Sequence, residues 1–215
     1  MLKVGLTGGI ASGKSVVGEM FVVLGAHLVQ ADRIAHALMQ PGEAVYNQTV
    51  GHFGRAILNP DGSINRSKLA EVAFGKVTDA VGKRTSRIEE LNRIVHPAVL
   101  RSQDEWMDAI RQQNPKGVAI VEAALILEAG AGDRFDRMIV VTCNAEQRAL
   151  RFAARQKIDL EAARQEVARR MAAQLPDEEK IKSADYVIDN SGSLDQTREQ
   201  VRQVWEKLRA EAEKG

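Results

Sequence analysis

The sequence predicts an α/β fold in which helices cover both faces of a parallel sheet. Two observations predict it. Short apolar segments alternate with longer segments of helical periodicity, and a glycine-rich loop joins the first apolar segment to the first helical one. Most apolar segments are continuous rather than alternating, as in strands that are buried on both faces. One such domain, with a smaller inserted region, accounts for the 215 residues.

The glycine-rich loop matches the phosphate-binding pattern G-x-x-x-x-G-K-[ST] through Gly8, Gly13, Lys14 and Ser15. Glycine lets the backbone turn so tightly that successive N–H groups point inward and cradle an anion. The N-terminus of the following helix adds its positive dipole end. In this chemistry the lysine reaches the β- and γ-phosphates of a nucleotide, and the hydroxyl takes a coordination position on Mg²⁺.

The context of the loop favours phosphate binding over the alternative, an ordinary glycine-rich turn with a surface lysine. Val4 and Leu6 indicate a buried strand before the loop, and Gly25 ends a helical pattern after it. The apolar residues of that helix are Val16, Val17, Met20, Phe21 and Leu24. Strand, loop and amphipathic helix are the setting that the pattern requires.

The composition excludes several classes of function. The chain is 44% apolar and 27% charged, and its net charge of +1 argues against electrostatic binding to nucleic acid or to an anionic membrane. Cys143 is the only cysteine, which suits a reducing cytoplasm, and its apolar surroundings favour a packed strand end over a nucleophile. No apolar run is long enough to span a membrane. We therefore expect a cytoplasmic protein with small-molecule ligands and no implied protein partner.

A second strand is predicted over residues 26–30, and Asp32 follows it, just before a helix that carries Ile34 and Leu38. Asp32 has two compatible interpretations. As an N-cap it would accept a hydrogen bond from a backbone N–H at the helix start. As a catalytic residue it would lie at the carboxyl edge of the sheet, where open α/β folds bind their ligands.

The longest gap between predicted strands, residues 31–117, is largely helical. Asn65 or Ser67 is a candidate cap for one of its helices, and His96-Pro97 is expected to interrupt another that starts near Ile88. The polar, basic segment 75–87 reads as a solvated helix face or a loop. Such a region is expected to close on a substrate.

The third predicted strand, residues 118–122, ends in Glu122, where a carboxylate is placed to hold Mg²⁺ or its waters. Glu128 follows, and taken alone it reads as a surface helix residue. The remaining strands are predicted at 137–142 and 184–189, and the last helix from about Leu194.

Arginines are frequent in the helical region between the last two strands, residues 145 to about 175. Most of these charges, Arg148 among them, are expected on a solvated face in pairs with acids. Arg151 and Arg155 are four residues apart and project from one side, where a phosphoryl-transfer enzyme can use them to clamp the transferring group.

These elements indicate a small-molecule kinase with a P-loop rather than a GTPase. The chain has no NKxD to read guanine, and the DxxG at residues 189–192 follows the last strand instead of the P-loop. A helical insertion and an arginine-rich lid suit a kinase, because closure excludes water and protects the γ-phosphoryl group from hydrolysis. The alternatives are a kinase for nucleosides or nucleoside monophosphates, and a regulator that binds ATP without turnover.

Eight segments carry a resemblance to a known family. In chain order they are LTGGIASGKS at 6–15, QADRIA at 30–35, DGSINR at 61–66, IVHP at 94–97, LILE at 125–128, RFAAR at 151–155, RMAAQ at 170–174 and DYVIDNSG at 185–192. Through them the chain resembles the dephospho-CoA kinase family from Leu2 to about Leu208. Their shared order makes the match more specific than the P-loop alone.

The resemblance implies a reaction and an architecture. The family uses ATP, with Mg²⁺, to phosphorylate the ribose 3′-hydroxyl of dephospho-CoA, which gives coenzyme A and ADP in the last step of coenzyme A biosynthesis. The implied fold is a three-layer P-loop NTPase core with a five-stranded parallel sheet, a helical CoA-binding insertion and a helical lid. The core would span about 1–31, 116–144 and 184–215, the insertion about 32–115, and the lid about 145–183.

The resemblance also implies roles for single residues. Asp32 matches the favoured general base, which strengthens its catalytic interpretation, and Lys14 and the lid arginine Arg155 complete the catalytic set. Arg66 and His96 also fit structural roles, at a helix start and before Pro97. The ATP site is implied at Gly8, Gly9, Ala11, Ser12, Gly13, Lys14, Ser15, Val16, Arg155 and, near adenine, Asn190. The acceptor site is implied at Thr7, Asp32, Arg66, His96 and Glu128, and the metal site at Ser15 and Glu122.

The chain departs from the family pattern at several positions. Gln30 replaces the first acid of the family's Asp-Ala-Asp, so that acid is not needed here. Glu122 stands where the family usually has Asp, and Ala124 where it has Pro. The segments 75–87 and 156–166 are longer than usual, the first in the CoA-binding region and the second in the lid.

Overall fold

The computed structural model describes residues 1–74, 77–78 and 84–214. Within the polar segment 75–87, residues 75–76 and 79–83 lie outside the described residues, whereas 77–78 and 84–85 form two short antiparallel strands, so the solvated helix face considered for this segment is wrong there. The chain divides into two compact units, and the division falls directly after the predicted second strand and within a long helix. The first unit is Met1–Gln30 with Met107–Gly215, and the second is Ala31–Trp106.

The bounds of the strands and helices follow, for the described residues. The strands are β1 Leu2–Gly8, β2 His27–Gln30, β3 Val77–Thr78, β4 Arg84–Thr85, β5 Val118–Glu122, β6 Arg137–Thr142 and β7 Tyr186–Asp189. The helices are α1 Lys14–Leu24, α2 Ala31–Leu38, α3 Ala44–Phe53, α4 Arg66–Phe74, α5 Ile88–Gln113, α6 Ala145–Gln156, α7 Leu160–Met171, α8 Asp177–Lys182 and α9 Leu194–Ala212. None of these helices is long and apolar enough to cross a membrane.

The strand β1 lies at the centre of a five-stranded sheet with the order β2-β5-β1-β6-β7. Every neighbouring pair in it is parallel. This sheet confirms the predicted α/β fold and its five strands. Because all strands run the same way, their carboxyl ends share one edge. The loop after β1 and the carboxylate of Glu122 therefore meet at that edge.

The three central strands β1, β5 and β6 are buried on both faces, as their continuous apolar segments predict, whereas the edge strands β2 and β7 are partly exposed. Val4, Leu6 and Ile120 share a core cluster with α1 and α9. Val121 and Val140 alternate with residues of that cluster along their strands, so they point to the opposite face, and both are buried as well. The helices contribute Val17 and Phe21 from α1 and Val201, Val204 and Leu208 from α9.

The second unit is helical and has apolar clusters of its own. Val45, Val95 and Val99 centre one cluster. The other is centred on Phe53, Ile57 and Leu69. One of the two predicted caps is confirmed, because the backbone N–H of Lys68 donates to Asn65 Oδ1 at 3.0 Å at the start of α4.

Two local expectations were wrong in this unit. The helix α5 runs without interruption through Pro97. A proline removes one backbone donor from a helix, and here Val95 and Val99, one turn apart, are buried on either side of it, so packing outweighs the loss. The helix α2 starts at Ala31, so Asp32 lies in its first turn rather than at the N-cap. A carboxylate there still interacts favourably with the helix dipole.

Candidate active site

The loop after β1 has the backbone shape of an anion cradle. Gly13 precedes α1 with φ 92° and ψ 24°, in the left-handed region that favours glycine. A Cβ atom on Gly13 would lie 2.1 Å from Asn190 Nδ2, and one on Gly8 would lie 2.3 Å from the carbonyl oxygen of Val141. The two predicted glycines are therefore required by close packing as well as by the turn.

Lys14 folds over this loop. Its ammonium group donates to the carbonyl oxygens of Gly8 at 2.9 Å and Gly9 at 3.1 Å. The positive charge is thus held beside the inward-facing backbone, where a phosphate chain would need it.

Ser15 and Glu122 meet at the carboxyl edge of the sheet. The Ser15 hydroxyl donates to Glu122 Oε1 at 2.7 Å, and the Gln30 amide donates to Oε2 of the same carboxylate at 2.8 Å. Gln30 and Glu122 are register partners in β2 and β5. Two of the departures from the family pattern thus contact each other. The longer glutamate reaches both partners at once and is only 8% exposed.

Oxygen donors of this kind are the ligands that Mg²⁺ prefers. A hydroxyl and a carboxylate stand together at the start of α1, beside a loop shaped for phosphates, so the residues fit the predicted metal. Among the described residues no group of three His, Cys, Asp or Glu side chains is arranged to hold a metal by itself.

Asn190 and Arg151 both donate hydrogen bonds to the backbone of the P-loop. The carbonyl oxygen of Ser12 accepts from Asn190 Nδ2 at 2.8 Å and from Arg151 Nη1 at 3.2 Å. Arg151 Nη2 donates to the carbonyl oxygen of Asn190 at 2.8 Å, and Thr197 fixes the Asn190 side chain by donating to Oδ1 at 3.0 Å. Both residues therefore have partners on the loop backbone, while their predicted contacts with the nucleotide stay predictions.

Arg155 differs from Arg151 although both lie on α6. It is exposed, and its guanidinium carbon lies 5.6 Å from the ring centroid of Phe152. Of the two arginines predicted to act together, one is fixed to the loop and the other faces solvent. An exposed position is compatible with a lid residue that engages only a bound nucleotide.

Two of the predicted acceptor residues lie in the first unit. Thr7 is fully buried, and its hydroxyl donates to the carbonyl oxygen of Ala124 at 3.2 Å. Glu128 Oε1 accepts from the backbone N–H of Leu175 at 3.1 Å and lies 2.7 Å from the Lys180 ammonium group. Glu128 is thus half-buried and paired, which is not the environment of an ordinary surface residue.

The other predicted acceptor residues lie in the second unit. Asp32 is exposed in the first turn of α2, and His96 is exposed on α5. Arg66 starts α4, and its guanidinium group contacts His36 Nδ1. The role of each in binding the acceptor stays a prediction.

Sequence reasoning missed Arg148 and Lys180, whose side chains are almost completely buried. Arg148 was expected on a solvated face, which is wrong. Its spacing contained a signal, because it lies one turn before the buried Phe152 and therefore on the apolar side of α6. Lys180 sits in a helix of six residues, too short to show any periodicity.

Cys143 is buried directly after the last residue of β6, in agreement with the predicted packed strand end. Burial raises the pKa of its thiol, although the nearby Arg151 and Arg148 guanidinium groups oppose that shift. A thiol that stays protonated is a poor nucleophile. Cys143 is therefore a packing residue.

Comparison with known proteins identifies the family. A family model for dephospho-CoA kinase matches residues 2–196. The chain is 40% identical over 201 residues to the dephospho-CoA kinase of Syntrophotalea carbinolica, which covers 94% of this chain and 89% of that one. It is 36% identical over 208 residues to the Aquifex aeolicus enzyme of the same name, with 97% and 98% covered. The solved dephospho-CoA kinase of Campylobacter jejuni has a TM-score of 0.59 and 25% identity, with 96% of each chain covered.

These matches span the P-loop, both units and the arginine-rich helices, and they confirm the resemblance on which the sequence predictions rested. The chain belongs to the dephospho-CoA kinase family of ATP-dependent phosphotransferases.

Proposed function

We propose that the protein transfers the γ-phosphoryl group of ATP to the ribose 3′-hydroxyl of dephospho-CoA, which yields coenzyme A and ADP and completes coenzyme A biosynthesis. The observation that carries the proposal is the P-loop with Lys14, Ser15 and Glu122 assembled at its mouth, in a chain that matches dephospho-CoA kinases over nearly its whole length.

The donor site is formed by the P-loop. The backbone N–H groups from Ala11 to Val16 and the ammonium group of Lys14 bind the phosphate chain. Ser15 and Glu122 would hold Mg²⁺, directly or through its waters. When bound with ATP, Mg²⁺ neutralises charge on the β- and γ-phosphate oxygens. Asn190 belongs to the same site, on the side of the adenine.

Asp32 is the general base: it orients the 3′-hydroxyl group of the acceptor and removes its proton. Arg155, on the lid, neutralises the charge that develops on the transferred group. Thr7, Arg66, His96 and Glu128 contribute to binding the acceptor. Exclusion of water by the lid directs the phosphoryl group to the acceptor instead of to hydrolysis.

The test is release of ADP from Mg·ATP by the purified protein, with dephospho-CoA and, in parallel, with adenosine, AMP and CMP. Strong stimulation by dephospho-CoA alone is expected, with the product phosphorylated at the 3′ position. Turnover of a nucleotide without turnover of dephospho-CoA would overturn the assigned acceptor while keeping a P-loop kinase. ATP binding without turnover of any acceptor would favour a regulator.

A further inference from the structure

Arg148 is fully buried, yet none of the assigned roles uses it. Its guanidinium group has three partners from three parts of the first unit. Nε donates to the carbonyl oxygen of Cys143 at 2.8 Å, at the end of β6. Nη1 donates to the carbonyl oxygen of Ile10 at 3.2 Å, in the P-loop. Nη2 pairs with the carboxylate of Asp177, at the start of α8.

Burying an arginine is unfavourable unless a carboxylate and acceptors replace the lost water. Here Asp177 supplies the carboxylate and the two carbonyl oxygens supply the acceptors. The chain therefore keeps a charged guanidinium group at a buried position where an apolar side chain would have a lower desolvation cost. This points to a function for the guanidinium group beyond filling space.

The contact with Ile10 controls the direction of the next N–H group. A peptide unit is planar, and the chain has no cis peptide bond among the described residues, so the Ile10 carbonyl and the Ala11 N–H point in opposite directions. By holding the carbonyl, Arg148 turns the Ala11 N–H away from itself. Ala11 has φ 54°, a left-handed conformation that alanine adopts only when its surroundings enforce it.

The loop is shaped around this side chain at Gly9 as well. A Cβ atom on Gly9 would lie 2.1 Å from Arg148 Nη1 and 3.2 Å from Asp177 Oδ1. Glycine at this position is therefore explained by close approach of the ion pair. Arg148 donates a hydrogen bond to the carbonyl oxygen of Ile10, just as Arg151 and Asn190 donate hydrogen bonds to that of Ser12.

We propose that Arg148 is a positioning residue for the nucleotide phosphates: it fixes the Ile10–Ala11 peptide so that the Ala11 N–H faces the anion, and its pairing with Asp177 makes this arrangement depend on α8. The inference rests on the proposed function only in taking the phosphates of ATP as the ligand of the loop.

The experiment measures the Kd values of Mg·ADP, AMP and adenosine by calorimetry, for the wild type and for Arg148→Gln, Arg148→Lys and Asp177→Asn. Arg148→Gln is expected to weaken Mg·ADP binding roughly tenfold to hundredfold, because the carbonyl loses its charged donor. Arg148→Lys should restore part of the affinity. AMP and adenosine should bind as in the wild type, since the loop contacts the outer phosphates. Steady-state kinetics should show a raised KM for ATP with an unchanged KM for dephospho-CoA.

Arg198→Gln is the matched control, since Arg198 also pairs with an aspartate, Asp195, but is exposed on α9. It should leave every Kd unchanged. If Arg148→Gln is folded and binds Mg·ADP like the wild type, the proposal is wrong. If Arg148→Gln does not fold, the Kd of Mg·ADP in Asp177→Asn tests the proposal instead, because that substitution removes only the charge of the partner. Unchanged Mg·ADP binding in Asp177→Asn then overturns the proposal. Failure of the wild type to bind Mg·ADP at all would instead contradict the proposed function.

Discussion

The residues around the P-loop and those predicted to bind the acceptor in the second unit differ in how they are held. Glu122 and Asn190 are at most 8% exposed. In each of them both polar atoms of the side chain make hydrogen bonds. Asp32, Arg66 and His96 are exposed on helices. Among these three, only Arg66 has a side-chain partner in the described part of the chain.

This difference separates two ways of preparing a site. The phosphate loop is fixed before any ligand arrives, because its carbonyl groups are bonded by buried side chains. Among the described residues that are predicted to bind the acceptor in the second unit, Asp32 and His96 are placed only by the helices that carry them, and Arg66 has in addition its contact with His36. Substitutions of the buried side chains that hold the loop should therefore change nucleotide binding or stability, whereas substitutions of residues predicted to act directly on the substrates should change rates and leave the fold intact.

The largest effect is expected for Asp32→Asn. The kcat should fall roughly 10²–10⁴-fold, because the acceptor hydroxyl loses its base. The KM for ATP and the melting temperature should stay unchanged, since Asp32 is exposed. Steady-state kinetics and thermal melting measure these effects, with the exposed acid Glu71→Gln on α4 as a control. Near-normal kcat in Asp32→Ala would show that another group acts as the base.

A somewhat smaller loss is expected for Lys14→Met. Removing the charge at the phosphate chain should lower kcat roughly 10²–10³-fold, because stabilisation of the transferring group is lost. The control is Lys207→Met, an exposed lysine of α9. If both variants turn over ATP at the same rate, Lys14 does not contact the phosphates. The P-loop would then not be the preformed phosphate site described above.

The pair of Lys180 and Glu128 tests how much a buried ion pair contributes to stability. Lys180→Met should lower the free energy of unfolding by about 3 kcal/mol, because the half-buried carboxylate loses its counter-charge. Chemical denaturation measures the change. The control is Lys182→Met, whose exposed pairing with Glu179 should contribute less than about 1 kcal/mol. Equal stability of the two variants would contradict the contrast between buried and exposed pairs.

The amide of Gln30 should act through Glu122. Gln30→Leu leaves one carboxylate oxygen without its donor, so the Mg²⁺ concentration at half-maximal activity should rise roughly tenfold. The melting temperature without Mg²⁺ should fall slightly. Gln203→Leu is the control, because its amide also donates to a glutamate, but on the exposed surface of α9. An unchanged Mg²⁺ requirement in a folded Gln30→Leu protein argues that Glu122 needs no support.

The smallest effect is expected at Glu166, a partly exposed residue of α7. Hydrogen bonds from Arg169 and then Arg170 lower the pKa of its carboxyl group to about 2. A lowered pKa stabilises the folded protein above the usual carboxyl pKa of 4.5, and this contribution is lost as the pH falls towards 2. Glu166→Gln should therefore lower the melting temperature slightly at pH 7 and by much less at pH 2.5, where most of this contribution has been lost. A difference as large at pH 2.5 as at pH 7 would assign the effect to packing instead of charge.

The sequence by itself determined the elements whose causes are local. Gly8 and Gly13 mark a turn that other residues cannot make, so the P-loop was found together with its strand and helix. Short, largely apolar segments predicted all five parallel strands, and the polar residues Asn65 and Ser67 predicted a helix cap, for which the structure selects Asn65. Each of these causes acts over a few neighbouring residues, so it can be recognised in the sequence without a structure.

Local rules also produced the two errors in the second unit. The break predicted at His96-Pro97 ignored the burial of Val95 and Val99, which keeps α5 continuous. The N-cap interpretation, one of the two considered for Asp32, does not hold because the helix already starts at Ala31. In both cases packing or backbone geometry beyond the motif overrode a residue preference.

Only the tertiary structure decided which charged and polar side chains are buried and what they hold. Arg148 contacts Ile10 across 138 residues, and Ser15 contacts Glu122 across 107. A charge can be buried only where distant parts of the chain bring a carboxylate or carbonyl oxygens to meet it. Such a meeting depends on strand order and helix packing, which no stretch of neighbouring residues specifies.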